Sequence, residues 1–271
     1  MRRSGEERFT LSPNFRLDEF DHEFGSRITI GAVPDCIHGC EVTLTGPIDW
    51  DMSASIADPA GNLTTFLLPG NPVGITDLAP FVDSTFQSQR YEAEYWSVEA
   101  NKTLVGWDVA KVLFGARYID YSEDYSYFAQ TGTGVSGVLQ SQTENQMYGL
   151  QSGLDLLYPV CRFGYADFRG RAGGYLNFAD SDVLLSTTNS GFANIDEDEE
   201  IAGLFELGTG LRYEMGPALS VRIGAELWYL TGVATAPDQL RQVVTPDLGS
   251  QVRIDDDIFF YGLTASATFK F

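Results

Sequence analysis

Residues Phe259 to Phe271 alternate with a period of two: Phe259, Tyr261, Leu263, Ala265, Ala267, Phe269 and Phe271 share one face, while Gly262, Thr264, Ser266, Thr268 and Lys270 share the other. That period predicts a β-strand with one apolar and one wet face. It recurs upstream. Leu219, Val221, Ile223, Ala225, Leu227 and Tyr229 oppose Ser220, Arg222, Gly224 and Glu226. Ile201, Phe205, Leu207, Leu211 and Tyr213 oppose Glu206, Gly208, Gly210 and Arg212, and Phe168, Ala172, Leu176 and Phe178 oppose Asp167, Arg169, Arg171, Tyr175 and Asn177. Tyr148, Leu150, Leu154, Leu156 and Tyr158 oppose Gln151 and Asp155; Ala110, Val112, Phe114, Ala116 and Tyr118 oppose Lys111 and Arg117. Segments 88–101, 40–56, 25–33 and 8–19 alternate less cleanly and complete a set of about ten strands, an even number as single-chain bacterial barrels have.

The connections alternate as well. Counting back from the C-terminus they run long (231–256), short (214–217), long (186–199), short (159–164), long (129–143), short (101–106), long (57–87) and short (34–39). Tight turns at one end and long loops at the other are the habit of outer-membrane barrels, which places the short turns and Phe271 on the periplasmic side. A strand of about 13 residues, tilted about 40°, crosses an apolar band of about 25 Å. Aromatic pairs ten residues apart on one face (Tyr148 and Tyr158, Phe168 and Phe178, Tyr261 and Phe271) suit interfacial girdles. The terminal Phe269 and Phe271 are the expected signal for the barrel-assembly machinery.

Composition narrows the classes. The net charge is −21, with only 17 Lys and Arg among 271 residues and no dense basic run, which excludes a nucleic-acid partner. No stretch approaches the roughly 18 apolar residues of a transmembrane helix, so any membrane crossing is by a closed sheet. Met1-Arg2-Arg3-Ser4-Gly5-Glu6-Glu7-Arg8 has arginines with no apolar core behind them and is not a secretory signal. Residues 1–7 are expected to be a tail, residues 8–271 one barrel domain, and the natural start upstream of Met1.

The expected fold is all-β: a closed antiparallel up-and-down transmembrane β-barrel of about ten strands, N-terminally truncated. Its charges Lys111, Arg117, Asp155, Arg169, Arg171, Glu206, Arg212, Arg222 and Glu226 lie opposite the apolar face and would meet in a narrow lumen. They are expected to plug it, with Arg212 and Arg222 prominent in the plug. In a soluble lipocalin-like barrel the faces would be exchanged, and these charges would meet solvent.

Chemistry-bearing motifs are few. Cys36 and Cys40 flank Ile37-His38-Gly39 and suit a local disulfide in an oxidising compartment, with Cys161 free; as zinc ligands Cys36, His38 and Cys40 lack a fourth partner. Gly132-Thr133-Gly134-Val135-Ser136-Gly137 matches a dinucleotide fingerprint in letters, but lies in a polar loop between antiparallel strands, where that motif does not work. His22, between Asp21 and Glu23, leaves open an acid–histidine site at an external rim. No Gly-x-Ser-x-Gly elbow is present. The runs Asp196-Glu197-Asp198-Glu199-Glu200 and Asp255-Asp256-Asp257 suit solvated loops, with divalent cations bridging to lipopolysaccharide as the alternative. No catalytic residue, metal site or cofactor is assigned.

The chain resembles the planctomycete-type outer-membrane β-barrel proteins, a family with no settled activity. The resemblance rests on Phe24-Gly25-Ser26-Arg27-Ile28-Thr29-Ile30-Gly31, Glu41-Val42-Thr43 with Asp49-Trp50-Asp51, Phe114-Gly115-Ala116-Arg117-Tyr118, Met147-Tyr148-Gly149-Leu150-Gln151 and Arg169-Gly170-Arg171-Ala172-Gly173-Gly174-Tyr175. It implies a barrel in a Gram-negative-type outer membrane, with membrane lipids and lipopolysaccharide as partners, and transfers no catalytic residue. A structural or surface role, or a narrow passive pore, is the expected function. An outer-membrane enzyme with a rim site and a soluble ligand-binding barrel are the alternatives.

Overall fold

A computed structural model describes residues 1–4, 11–17, 20–35, 37–70, 77–106 and 109–271. Its strands are β1 (Arg2–Ser4), β2 (Arg27–Ala32), β3 (His38–Ala57), β4 (Leu68–Pro69), β5 (Ser84–Gly106), β6 (Ala110–Thr131), β7 (Ser136–Cys161), β8 (Gly164–Thr187), β9 (Gly191–Glu214), β10 (Leu219–Val233), β11 (Val243–Val244) and β12 (Asp256–Phe269). Ten of them form one antiparallel sheet in the order β1-β12-β10-β9-β8-β7-β6-β5-β3-β2, and β4 pairs with β11 separately. The chain is thus all-β and up-and-down. The tenth strand is β1, from the segment expected to be a tail, and Leu11 to Leu17 are not strand.

The sheet rolls on itself. β2 and β10 are seven strand spacings apart in the ladder, roughly 34 Å if the sheet were flat, yet Arg27 Nη1 of β2 lies 2.9 Å from Glu226 Oε2 of β10. Among the described residues the strand pairing nevertheless stops at β1 and β2, which remain edges, so the expected ring closure is not made there.

The strands are also longer than expected: β7 runs 26 residues and both β8 and β9 run 24. Segments 129–143 and 186–199, expected as long loops, are strand nearly throughout, closed by tight turns at 132–135 and 188–190. Gly134, at φ +85°, allows the first of these turns to be tight. The turns at 33–35, 162–163 and 215–218 gather at the end that carries the C-terminus, here called the lower end; 58–70, 77–83 and 234–255 gather at the upper end.

The long strands other than β9 keep two faces but exchange their chemistry part-way up. On β5, Tyr91, Ala93 and Tyr95 are buried inside and Arg90, Glu92 and Glu94 face out; below them Ser97, Glu99, Asn101 and Thr103 are buried and Trp96, Val98 and Ala100 face out. β6 exchanges at Tyr118-Ile119 and β7 at Met147-Tyr148, two doublets that stand directly opposite each other in the ladder. On β3 the exchange coincides with a register shift between Thr45 and Ile48. Gly46 there has φ +96°, and a Cβ would lie 2.5 Å from the Tyr95 carbonyl oxygen, so only glycine fits. The lower half is therefore apolar outside and polar inside; the upper half is polar outside and largely apolar inside, with Ser141, Thr143 and Asn145 of β7 and Asp196, Asp198 and Glu200 of β9 as polar inward positions.

Candidate functional site

The polar lower interior gathers one connected ion-pair network. Arg117 on β6 places Nη1 2.7 Å from Glu206 and 3.9 Å from Glu99. Arg171 on β8 lies 2.7 Å from Glu99 and 3.9 Å from Glu41, and Lys111 reaches Glu41 and Asp155 at 3.0 Å each. Arg169 lies 3.7 Å from Asp155 and 3.4 Å from Glu226. Arg222 lies 2.7 Å from Asp167 and 3.7 Å from Glu226, which also takes Arg27. Six cations (Arg27, Lys111, Arg117, Arg169, Arg171, Arg222) thus meet six carboxylates (Glu41, Glu99, Asp155, Asp167, Glu206, Glu226). The network is neutral although the chain carries −21. Neutrality is what a water-poor interior demands, because an uncompensated buried charge is costly.

Of the nine charges expected inside, eight belong to this network. Arg212 does not: it is half-buried on the inward face of β9 and makes no ion pair within 4 Å among the described residues. Arg27, Glu41, Glu99 and Asp167 complete the network and were not singled out from sequence. Three of these four lie on β2, β3 and β5.

Neutral side chains tie the charges together. Arg117 also donates to Tyr95 Oη at 2.9 Å and to Ser97 Oγ at 3.1 Å, and Gln151 Nε2 donates to Asn101 Oδ1 at 2.9 Å.

No protein-family model, curated protein or solved structure matches this chain.

Above the network the interior is an aromatic and aliphatic core. Trp50, Tyr95, Trp228 and Phe260 pack with ring centroids 5.3 to 6.1 Å apart. Arg3 of β1 enters this core: it pairs with Glu123, donates to Tyr121 Oη at 2.6 Å and Tyr91 Oη at 2.9 Å, and lies 5.0 Å from the Phe20 ring. The connection 234–255 folds inward, with Ala236, Leu240, Val244 and Leu248 buried. Asn145 holds it by exchanging 2.8 Å hydrogen bonds with the backbone of Ala234, and the Ala236 N–H donates to Glu123 at 2.9 Å. Segment 231–256 was expected as a long external loop; at the upper end its Ala, Leu and Val residues fill the interior.

Outside, the boundary between the two halves is marked by aromatic rings. Trp96 meets Tyr118 at 5.1 Å, Tyr118 meets Tyr148 at 4.7 Å and Tyr148 meets Phe178 at 6.1 Å; further round, Phe205, Tyr229 and Phe259 stack at 6.4 and 4.5 Å. Directly above lie outward carboxylates. Tyr118 donates to Asp120 at 2.8 Å and Tyr229 to Asp257 at 2.6 Å. An open concavity on this outer face is lined by Asp49, Asp51, Glu92, Glu94, Asp124, Glu144, Asp180 and Asp182, with Arg90 the one cation among its lining residues.

The acidic runs are not adjacent: β10 lies between 196–200 on β9 and 255–257 at β12. The fingerprint 132–137 is a hairpin turn entering β7, and His22 is exposed, edge-on to Tyr261 at 6.1 Å. His38 Nδ1 contacts Asp35 at 2.7 Å in a lower turn. The His38 and Ile37 N–H groups, with the His38 ring, hold the Asp35 carboxyl down at about 2. Cys40 and Cys161 are exposed and free, and Cys36 lies outside the described residues.

Asp256 stands three positions above Phe259 and faces inward. Burial, aided by Asp238, Glu123 and Asp255, raises its carboxyl to about 6, although Thr235 Oγ1 donates to it. A folded value above the unfolded one means the folded state binds the proton more tightly. Stability should therefore fall as pH rises through about 4 to 6 and stay lowered above that. Asp256→Asn should remove this slope and raise stability near pH 7 by about 1 kcal/mol, after allowance for partial solvent screening. Urea titrations at pH 4.5 and 7 check both; an unchanged pH slope in the variant would assign the slope elsewhere.

Proposed function

We propose that this protein is an outer-membrane β-barrel of the kind its sequence resembles, with a structural or surface role and an interior closed to solutes. The observation that carries the reading is the outward face below the aromatic rings. There Phe114, Leu150, Leu207, Leu211 and Ile223 are each more than half exposed while twelve charges are turned inward. In water that arrangement wastes the hydrophobic effect, and in lipid it satisfies it.

The dimensions support the reading. The apolar run on β7 extends from Tyr148 to Tyr158, about 25 Å high at 3.3 Å per residue and a tilt near 40°. The aromatic rings then sit at head-group level. A soluble lipocalin-like barrel would need apolar side chains inside along the whole strand, but the lower interior holds the ion pairs. Lipids are the partners of the lower outside. The carboxylates above the rings face anionic lipopolysaccharide, and contact there runs through divalent cations. Phe269 and Phe271, both exposed at the lower rim, are offered to the assembly machinery.

The interior argues against a pore. Ten strands enclose a narrow cylinder, and here the lower part is bridged by ion pairs and the upper part is packed with aromatics and with 234–248.

Dilution of the urea-unfolded chain tests the reading. In zwitterionic detergent micelles or phospholipid vesicles it should reach a folded form that migrates differently on a gel before and after heating, with no steady conductance in planar bilayers. A folded monomer in buffer without detergent would overturn the membrane reading; large stable channels would overturn the closed interior.

A further inference from the structure

The seam of the rolled sheet has a definite shape. Among the described residues β1 pairs with β12 over three positions: Arg2 with Tyr261, Arg3 with Phe260 and Ser4 with Phe259. Below Tyr261, β12 continues to Phe269 with β10 as its one partner among the described residues, and β2 is paired among them with β3 alone. Each strand therefore presents a row of unused N–H and C=O groups to the seam, alternate residues along its length. Side-chain cover fails at the same place. Ser266 and Thr268 of β12 face inward yet are exposed, whereas Ser220 and Arg222, their inward partners on β10, are buried.

The direction of the missing element follows from the topology. β2 and β12 both run toward the lower end, and β1, between them, runs upward. Met1 already joins the two sides: its ammonium donates to the Glu23 carbonyl, and the Glu23 N–H returns a 2.8 Å bond to the Met1 carbonyl. Gly262 sits against Met1 on the other flank, where an ideal Cβ would lie 3.0 Å from the Met1 Cα.

We infer that the seam is a strand-acceptor slot, filled by seven residues that directly precede Met1 in a longer form of this chain and that continue β1 downward. With Met1 opposite Gly262, the preceding residue falls opposite Leu263 and Phe24, and the seventh opposite Phe269 and Ile30; seven is 269 minus 262. The unpaired ladders of β2 and β12 carry the inference, whatever the position of the first residue. Since Arg3 points inward and Arg2 opposes outward Tyr261, the first, third, fifth and seventh preceding residues face out and the others face in. That the outward ones are apolar rests on the membrane reading; the pairing does not.

Hydrogen–deuterium exchange on the full chain, as it is and with an alternating Val/Thr heptapeptide fused ahead of Met1, tests the slot in whichever solvent keeps the protein folded and monomeric. The fusion should slow exchange in peptides covering 27–32 and 263–269 by tenfold or more. The same fusion with Pro at alternate positions, which lacks the donors, should leave them fast. Equal exchange in the first fusion and the unextended chain would overturn the slot. So would full protection of both segments in the unextended monomer, by direct pairing of the edges, or protection that appears only in a dimer. A protein that folds only in buffer but still shows the protection would reject the membrane reading and keep the slot.

Discussion

Arg117→Ala should lower the stability of the folded protein by about 3–5 kcal/mol, the usual consequence of leaving one member of a buried pair without its partner. Arg117 and Glu206 have side chains only 2% and 4% exposed, and among the described residues no other cation lies within 4 Å of the Glu206 carboxylate. The orphaned charge, rather than the lost contact, sets the size of the effect. Arg117→Met combined with Glu206→Leu should recover most of it, since apolar replacement of both partners is often neutral. Arg212→Ala, outside the network, should change stability by no more than about 0.5 kcal/mol. None of these variants should conduct in planar bilayers, because the aromatic core and residues 234–248 lie above the network and remain. Urea titrations of the three proteins check the order. A loss below about 1 kcal/mol for Arg117→Ala would mean that water reaches the network and screens it.

That network was largely legible in the sequence. A period of two across β6 to β10 separates inward from outward positions without any structure, and the inward ones carry Lys111, Arg117, Asp155, Arg169, Arg171, Glu206, Arg222 and Glu226. Glu99 escaped notice for a physical reason: on β5 the apolar side changes from odd to even positions at Tyr95-Trp96. A single-period reading averages such a strand into noise. On β3 the bulge at Gly46 and Pro47 offsets the exchange of faces, so Val42, Leu44, Ile48, Trp50 and Met52 all stay on even positions and Glu41 was legible as an odd one.

The same exchange of faces explains the misjudged strand lengths. When the apolar residues of one face stop at Tyr118, the pattern reads as a strand end, but β6 continues to Thr131 with Tyr121, Tyr125 and Tyr127 turned inward. The signal was present as doublets: Tyr95-Trp96, Tyr118-Ile119, Met147-Tyr148, Trp228-Tyr229 and Phe259-Phe260 each put a large apolar residue on both faces at the level where the chemistry changes. Arg3 had no such signal. A charged residue in a polar N-terminal stretch gives no sign that Glu123, Tyr91 and Tyr121 wait for it 88 to 120 positions away.

The band itself yields the sharpest test. Leu154 and Leu207 are both partners of Gly170 in the ladder, so they stand at one level near the middle of the apolar run, facing out. Leu154→Arg and Leu207→Arg should each destabilise the protein folded in phospholipid vesicles by about 2–4 kcal/mol, the penalty of a lipid-facing arginine near the bilayer midplane. Lying two strand spacings apart, roughly 10 Å, with their losses nearly additive, the two together should prevent folding in vesicles. Ser55→Arg, also facing out but on β3 above the rings, should have an effect within about 0.5 kcal/mol. The contrast between levels matters more than any one value. In water an exposed leucine can become arginine with little change, so equal and small effects for all three would place the whole outer surface in solvent. A large loss confined to Leu154 and Leu207 has no counterpart in a soluble sheet, since neither side chain belongs to the packed interior.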